Sequence, residues 1–426
     1  ASSPTSSSPC PNSKRRFDVS QAQSGGALAG LVVIDLTQML AGPYCTMLLA
    51  DQGAEVIKIE PIDGDPTRQF GPFLADDTLR SFGGYFQSTN RNKRSMSIDL
   101  KSEAGKALFR RLAKDADVVV ENFRAGVMDR LGIGYEVLAE ENPRLVYAAV
   151  RGFGDPRTGE SPYVDRPSFD VVAQAMGGAM GITGPDARTP IKIGPGIGDI
   201  FPGALAAFGI MAALHHARLT GQGQFVDVAM YDGIVALCER IIYQQSYTGR
   251  SPVPEGNQHP ILCPFGTFNA RDGQVTVGCP RDSFWRELTA IMGRPELATD
   301  PKFRSNNDRL AHAEETIALV EDWTSQRTKA EIALALDGRV PFGPVNTAKD
   351  IFEDPHIAAR HMLVEVEHPG SDRTVTIAST PVRMTLTPGG VTSRAPMVGE
   401  HTDRILGELG LSSEEIAALK ASGAIA

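Results

Sequence analysis

Four short runs, LVVIDL, EVIKIE, DVVVENF and RLVYAAVRGFG, are almost continuously apolar, and stretches with helical spacing separate them. Runs of that kind fit strands covered on both faces. The first intervening stretch, AGPYCTMLLADQGA, tolerates Pro43 in a first helical turn and ends at Gly53. SEAGKALFRRLAKDA predicts a helix with Ser102 as its N-cap, and GYEVLAEENP predicts another. Strands alternating with helices at this spacing build an open, mostly parallel sheet, so the fold class is α/β.

After Gly223 the rhythm changes. GTFNARDGQVTVGC reads as two strands about an Asp-Gly turn, and RDSFWRELTAIMG and RLAHAEETIALVEDWTSQ read as helices. A chain of 426 residues exceeds what one core usually accommodates, so two domains are expected. Residues 27–223 form the first part of a large domain and 224–339 a smaller one. Residues 340–426 return to the large domain through VEVEHPGSDRTVTIAST and C-terminal helices. The Ser-rich segment 1–26 reads as a disordered tail.

Composition mainly excludes. A net charge of −9 without a long basic tract argues against nucleic acid as a partner. Five scattered cysteines, with no CxxC spacing, suit a reducing compartment and neither a disulfide framework nor a zinc site. The cytoplasm is the expected address, or the mitochondrial matrix in a eukaryote. No stretch reads as a membrane span: Ile200 to Leu214 is interrupted by Pro202, Gly203 and Gly209 and suits a buried helix.

Candidate chemistry is sparse but specific. Glu60 ends a strand where a dinucleotide fold carries its ribose-binding acid, yet the first turn, LTQMLAGPYC, lacks GxGxxG. Arg91, Lys93 and Arg94 in NRNKRS, with Lys101 behind them, fit either a solvated loop or a landing site for phosphates. ENFRAGVMDR adds Asn122, Phe123, Arg124 and Arg130 after a strand end, where ligands of open α/β sheets bind. All eight histidines lie at or beyond residue 215, with no HxxxH or HExxH spacing, and GxSxG is missing. Zinc and Ser-His-Asp hydrolases lose ground accordingly. His215 and His216 stand near a helix end as dipole partners.

Two acids remain, Asp170 in RPSFDVVAQAMGG and Asp199 in GPGIGDIFPG, and either would serve as a helix cap. Around Asp199, Gly194, Gly196 and Gly198 remove bulk, so a large substrate could approach the carboxylate. The helix that follows would favour negative charge there. Those properties suit a carboxylate nucleophile.

Several long segments carry a family resemblance: DLTQMLAGPYCTMLLADQGAEVIKIEP, NRNKRSMSIDL, VVENFRAGVMDRLGIGYE, GDIFPGALAAFGIMAALHHARLTGQGQFVDVAMYD, VPFGPVNTAKDIFEDPH and GEHTDRIL. Together they resemble the class III coenzyme A transferases, which include formyl-CoA, carnitine and succinyl-CoA-dependent transferases. Their sibling is α-methylacyl-CoA racemase. The resemblance implies a Rossmann-like large domain, a smaller α+β domain and a homodimer of interlocked chains.

It further implies that Asp199 is the catalytic residue, carrying an aspartyl-CoA thioester. Coenzyme A contacts fall on Leu40, Ala41, Ile98, Asp99, Leu100, Lys101, Asn122, Phe123, Arg124 and Arg130. The substrate loop falls on EGNQHP, which keeps Gly256 beside Asn257 from the family's glycine run. The substrates are an acyl-CoA and a carboxylic acid, with no permanently bound cofactor and no metal. A catalytic-site glutamine of formyl-CoA transferase falls on Leu40, and a CoA-contacting arginine on Pro61. Both departures argue against formyl-CoA and oxalate. The segments look closest to members that move coenzyme A from succinyl-CoA to malate, citramalate, itaconate or glutarate. Two other readings stand beside this one. The racemase needs a histidine upstream of the residue matching Asp170, where this chain has none. The other is a non-catalytic CoA-binding subunit.

Overall fold

Every residue of the first apolar run that enters a strand is buried, and the same holds for the third and fourth. The computed structural model describes residues 26–426, so all but the last residue of the Ser-rich segment lies outside the described residues. The strands are β1 (Val32–Asp35), β2 (Glu55–Glu60), β3 (Lys93–Ser97), β4 (Val118–Glu121), β5 (Val146–Arg151) and β6 (Phe225–Ala229). They form one sheet in the order β3-β2-β1-β4-β5-β6, every pair parallel. The order runs outward from β1 in both directions, which puts the topological switch point between β1 and β4.

Helices α1 (Ala41–Asp51), α2 (Gly84–Asn90), α3 (Glu103–Asp115), α4 (Val127–Arg130) and α5 (Tyr135–Glu141) connect the strands. Ser102 caps α3, its hydroxyl accepting from the Gly105 N–H at 3.0 Å. After β5 come α6 (Asp170–Met176), α7 (Ile197–Thr220) and α8 (Met230–Leu237).

By length and composition α7 could cross a bilayer, and Pro202 does not end it. Instead a stripe of small residues that includes Gly203, Ala206, Ala207 and Ala213 is buried within the fold. A Cβ on Gly203 would stand 2.4 Å from the Ala41 carbonyl oxygen, so α1 and α7 touch backbone to backbone.

Two features depart from the expected layout. KRSMS is a strand although it is rich in polar residues, because its charges are paired inside. The Lys93 ammonium donates to Asp35 at 3.0 Å, to Asn90 Oδ1 at 2.9 Å and to the Pro43 carbonyl at 3.0 Å. Arg91 holds Asp51 with two bonds, 3.0 and 2.6 Å, and Arg94 pairs with Glu55 and Glu408. Neither a solvated loop nor a phosphate site describes these three cations. Glu60 is likewise buried, gripped by Arg68 at 2.7 Å on each oxygen, and serves no ribose.

The second departure is β6, which extends the large sheet past Gly223. As an edge strand it is only half-buried and lacks a continuous apolar run, so its sequence resembles that of a separate region.

The chain divides into two compact units. One comprises the described residues up to 177 together with 194–239 and 359–426, and the other comprises 178–193 and 240–358. The second unit holds an antiparallel sheet of β7 (Phe265–Ala270), β8 (Gly273–Gly278) and β9 (Phe342–Pro344). Its helices run from α9 (Glu239–Thr248) through α10 (Asp282–Ile291), α11 (Asn306–Ala311), α12 (Ala313–Ser325), α13 (Lys329–Leu336) and α14 (Ala348–Glu353) to α15 (Pro355–Ala359). A separate core around Phe268, Trp285, Val320, Trp323 and Ile332 binds it together. The first unit closes with a hairpin, β10 (Leu363–Glu367) and β11 (Thr374–Ala378), then α16 (Thr402–Glu408) and α17 (Ser413–Ala421).

Removing one partner of a buried pair leaves an uncompensated charge, which costs about 3–5 kcal/mol. Asp35→Ala should lower the urea stability of the first unit by that order, read by far-ultraviolet circular dichroism, since both tryptophans lie in the second unit. The double replacement Asp35→Leu with Lys93→Met should recover most of it. A loss under about 1 kcal/mol would mean that Asn90 and the Pro43 carbonyl suffice for the ammonium.

Candidate active site

Asp199 sits in the first turn of α7, half-buried, with no hydrogen bond to its carboxylate among the described residues. Beside it, Asp170 opens α6. The Asp170 carboxylate accepts from the Gly198 N–H at 2.8 Å and from the Gln174 amide at 2.9 and 3.0 Å. The two acids are thus joined through the residue that precedes Asp199. Burial, and then the Asp170 charge, push the Asp199 carboxyl up to about 7. The start of α7 favours an anion, but burial and the like charge outweigh it.

The glycines have a mixed role. A Cβ on Gly198 would stand 2.4 Å from the Asp170 carbonyl oxygen, and one on Gly196 would stand 2.9 Å from Leu40 Cδ2. Both glycines therefore admit other parts of the protein. Only around Gly194, of the three, is the space open.

Leu40 precedes α1 and Ala41 begins it, after a turn fastened residue by residue. The Thr37 N–H and hydroxyl donate to Asp35 Oδ1 at 2.9 and 2.5 Å, and the Lys58 ammonium donates to the Thr37 carbonyl at 2.6 Å. Asp65 neutralises Lys58 at 3.0 Å. The Asn122 amide clamps Gln38 from both sides, accepting its N–H at 2.8 Å and donating to its carbonyl at 2.7 Å. Met39 then takes φ +66°, a left-handed conformation uncommon outside glycine. Leu40, Asn122 and Asp199 are so gathered at the carboxyl end of the sheet, by the switch point.

The other residues expected to meet coenzyme A lie on two turns, one after β4 and one after β3, with β1 and β2 between those strands in the sheet. Phe123 packs partly on the main core, and Arg124 and Arg130 are exposed with no ion-pair partner among the described residues. Behind β3, the Ile98 side chain belongs to the core and is closed to a ligand. Asp99 donates its N–H to the Ala424 carbonyl at 2.9 Å, Leu100 leans on the core, and Lys101 is exposed, with no ion-pair partner among the described residues. Gly256 and Asn257 belong to the second unit. Gly256 takes φ +66° and bonds the Gly184 carbonyl at 2.9 Å, and the Asn257 carbonyl accepts from the Thr267 N–H at 3.1 Å. His215 and His216 stand exposed, about 24 Å along α7 from Asp199 at 1.5 Å per residue.

Sequence reasoning passed over Tyr85. It is half-buried in α2, and burial together with the charges of Asp199, Asp65 and Asp170 pushes its phenol up to about 12. Nothing in its local sequence signals that proximity, which the fold alone creates.

Residues 28–402 match CoA-transferase family III. Succinyl-CoA:mesaconate CoA-transferase of Haloarcula hispanica is 49% identical over 391 residues, 91% of this chain and 98% of that protein. Succinyl-CoA–D-citramalate CoA-transferase of Chloroflexus aurantiacus is 38% identical over 398 residues, 92% of this chain and 96% of that protein. The crystal structure of a CAIB/BAIF family protein from Brucella suis superposes with a TM-score of 0.81 at 37% identity, covering 91% of this chain and all of that one.

Asp170→Asn keeps an acceptor for the Gly198 N–H but removes the like charge. The Asp199 carboxyl, followed by 13C NMR of aspartate-labelled protein, should then titrate below its wild-type value. An unmoved titration would assign the whole rise to burial.

Proposed function

The chain belongs to CoA-transferase family III, and from that premise we propose that it moves coenzyme A from succinyl-CoA to a dicarboxylic acid through a covalent intermediate on Asp199. The observation that carries this reading is the half-buried Asp199 carboxylate, free of hydrogen bonds among the described residues, one residue from the peptide held by Asp170.

An Asp199 oxygen attacks the thioester carbonyl, the C–S bond breaks, and coenzyme A leaves as the thiolate. The mixed anhydride that remains is attacked by the thiolate at the aspartyl carbonyl. That step releases succinate and forms the aspartyl-CoA thioester. The acceptor carboxylate attacks this thioester, displacing the thiolate and giving a second anhydride. The thiolate then attacks the acceptor's acyl carbon, so the new acyl-CoA departs and the Asp199 carboxylate returns. Each tetrahedral intermediate carries an oxyanion, for which the protonated phenol of Tyr85, close enough to feel the Asp199 charge, is the donor we assign. Arg124, Arg130 and Lys101, exposed and without an ion-pair partner among the described residues, present their cations to the nucleotide phosphates.

The acceptor is a methyl-branched, five-carbon dicarboxylate. Mesaconate and citramalate, the acids in the two relatives' names, share that chemistry. The enzyme works as a homodimer, with exposed apolar residues of α7 such as Phe208 and Leu219 available for the contact.

Asp199→Ala should retain coenzyme A binding and lose transfer by at least about 10³-fold. Intact-protein mass spectrometry of the wild type, quenched with succinyl-CoA alone, should find added mass on the Asp199 peptide. Turnover by the variant, or label elsewhere, would overturn the assignment. Because Asp199 attacks as the anion, kcat/KM should fall with one proton as pH drops through about 7. With succinyl-CoA and a panel of acids, mass spectrometry of the products should favour mesaconate or a close relative. Acceptance of formate or oxalate alone would refute the reading of Leu40 and Pro61.

A further inference from the structure

We infer that Glu121 and Arg151 are positioning residues, a buried ion pair that holds the Asn122–Arg124 turn in its acyl-CoA-binding form. The inference rests on the reading of that turn as part of the coenzyme A site.

Glu121 ends β4 with no exposure, and Arg151 ends the adjacent β5 with 7%. They contact each other directly, and both reach the backbone of the same residue. Glu121 Oε2 accepts the Phe123 N–H at 2.6 Å, and Arg151 Nε donates to the Phe123 carbonyl at 3.1 Å. The backbone of Phe123 is therefore held by an anion on its donor and a cation on its acceptor. One residue earlier, the Asn122 side chain holds both polar groups of Gln38. The turn is stitched to the β1 turn on one side and to the end of β5 on the other, across the switch point. Arg124, next along, is exposed, with no ion-pair partner among the described residues.

The pair is not there for stability alone. Burial pushes the Glu121 carboxyl up to about 7 even with Arg151 opposing. Buried pairs are often replaceable by apolar residues without loss. Arg151 is also anchored from behind by Asp155, whose N–H bonds Asp227 at 2.9 Å. This arrangement fixes the guanidinium independently of the turn it serves. What the charges add is a defined orientation for the two peptides that flank Phe123 beside the ligand, the kind of placement on which tight binding depends.

The test compares Arg151→Met, Glu121→Gln and Arg151→Lys in the full-length enzyme, with Arg124→Ala as reference. Arg151→Met should raise KM for succinyl-CoA, and the calorimetric Kd for coenzyme A, about tenfold with kcat within about twofold. Glu121→Gln, which keeps an acceptor for the Phe123 N–H, should raise both less, and Arg151→Lys should recover most of the loss. KM for the acceptor acid should not move. Should Arg151→Met fail to fold, Glu121→Gln carries the test. Folded variants with unchanged Kd for coenzyme A, or with kcat lost at constant KM, would overturn the proposal. If Arg124→Ala weakens binding while the pair variants do not, the positioning role alone fails. If Arg124→Ala also leaves binding intact, the assignment of the turn to coenzyme A fails.

Discussion

A parallel sheet covered on both faces gives its strand ends little access to water, so charges placed there must find each other. Asp35 with Lys93 and Lys58 with Asp65 solve this as two buried pairs at 3.0 Å, joined through the Thr37 backbone beneath the turn that leads into α1. Glu60 with Arg68 and Glu121 with Arg151 do the same at the neighbouring ends. Each charge that is neutralised also fastens a backbone group, including both polar groups of Thr37 and of Phe123. Electrostatic necessity and loop geometry are thus one problem with one solution. The turns at the switch point inherit their rigidity from it.

The same economy governs α7. Its small residues let α1 approach to backbone contact, and its first-turn glycines let α6 and Leu40 approach in turn. Asp199 is consequently fixed by three packed elements. A larger residue at position 196 or 198 would move the acid before it touched any substrate.

Much of the fold was legible because strand burial leaves an apolar signature, and Ser102 and the Asp272-Gly273 turn announce their roles in a few residues. β3 was not legible, since pairing that neutralises Lys93 comes from residues 58 positions away, such as Asp35. Arg91 was hidden in the same way, its partner Asp51 lying 40 positions away, whereas Glu60 meets Arg68 only eight positions on, through a turn that the sequence pattern does not announce. At the site, Asp199 stood out by its glycines, although two of those glycines turn out to face protein. Tyr85 and the Glu121–Arg151 pair could not be singled out. Their roles come from proximity across the fold, and a tyrosine, a glutamate or an arginine at a strand or helix end is ordinary.

The raised affinity of Asp199 for a proton bears on the proposed cycle in a definite way. A carboxylate held beside another carboxylate, with no donor among the described residues to satisfy it, is least stable as the free anion. Acylation removes that charge, and so does conversion to the thioester. Both covalent states therefore relieve the repulsion from Asp170, while the resting enzyme bears it. A donor hydrogen bond to Asp199 would stabilise the anion and blunt its attack. The site instead places its donors elsewhere, with the Gly198 N–H turned to Asp170. In that cycle burial first, and the charge of Asp170 second, would make the nucleophile's ground state the costly one.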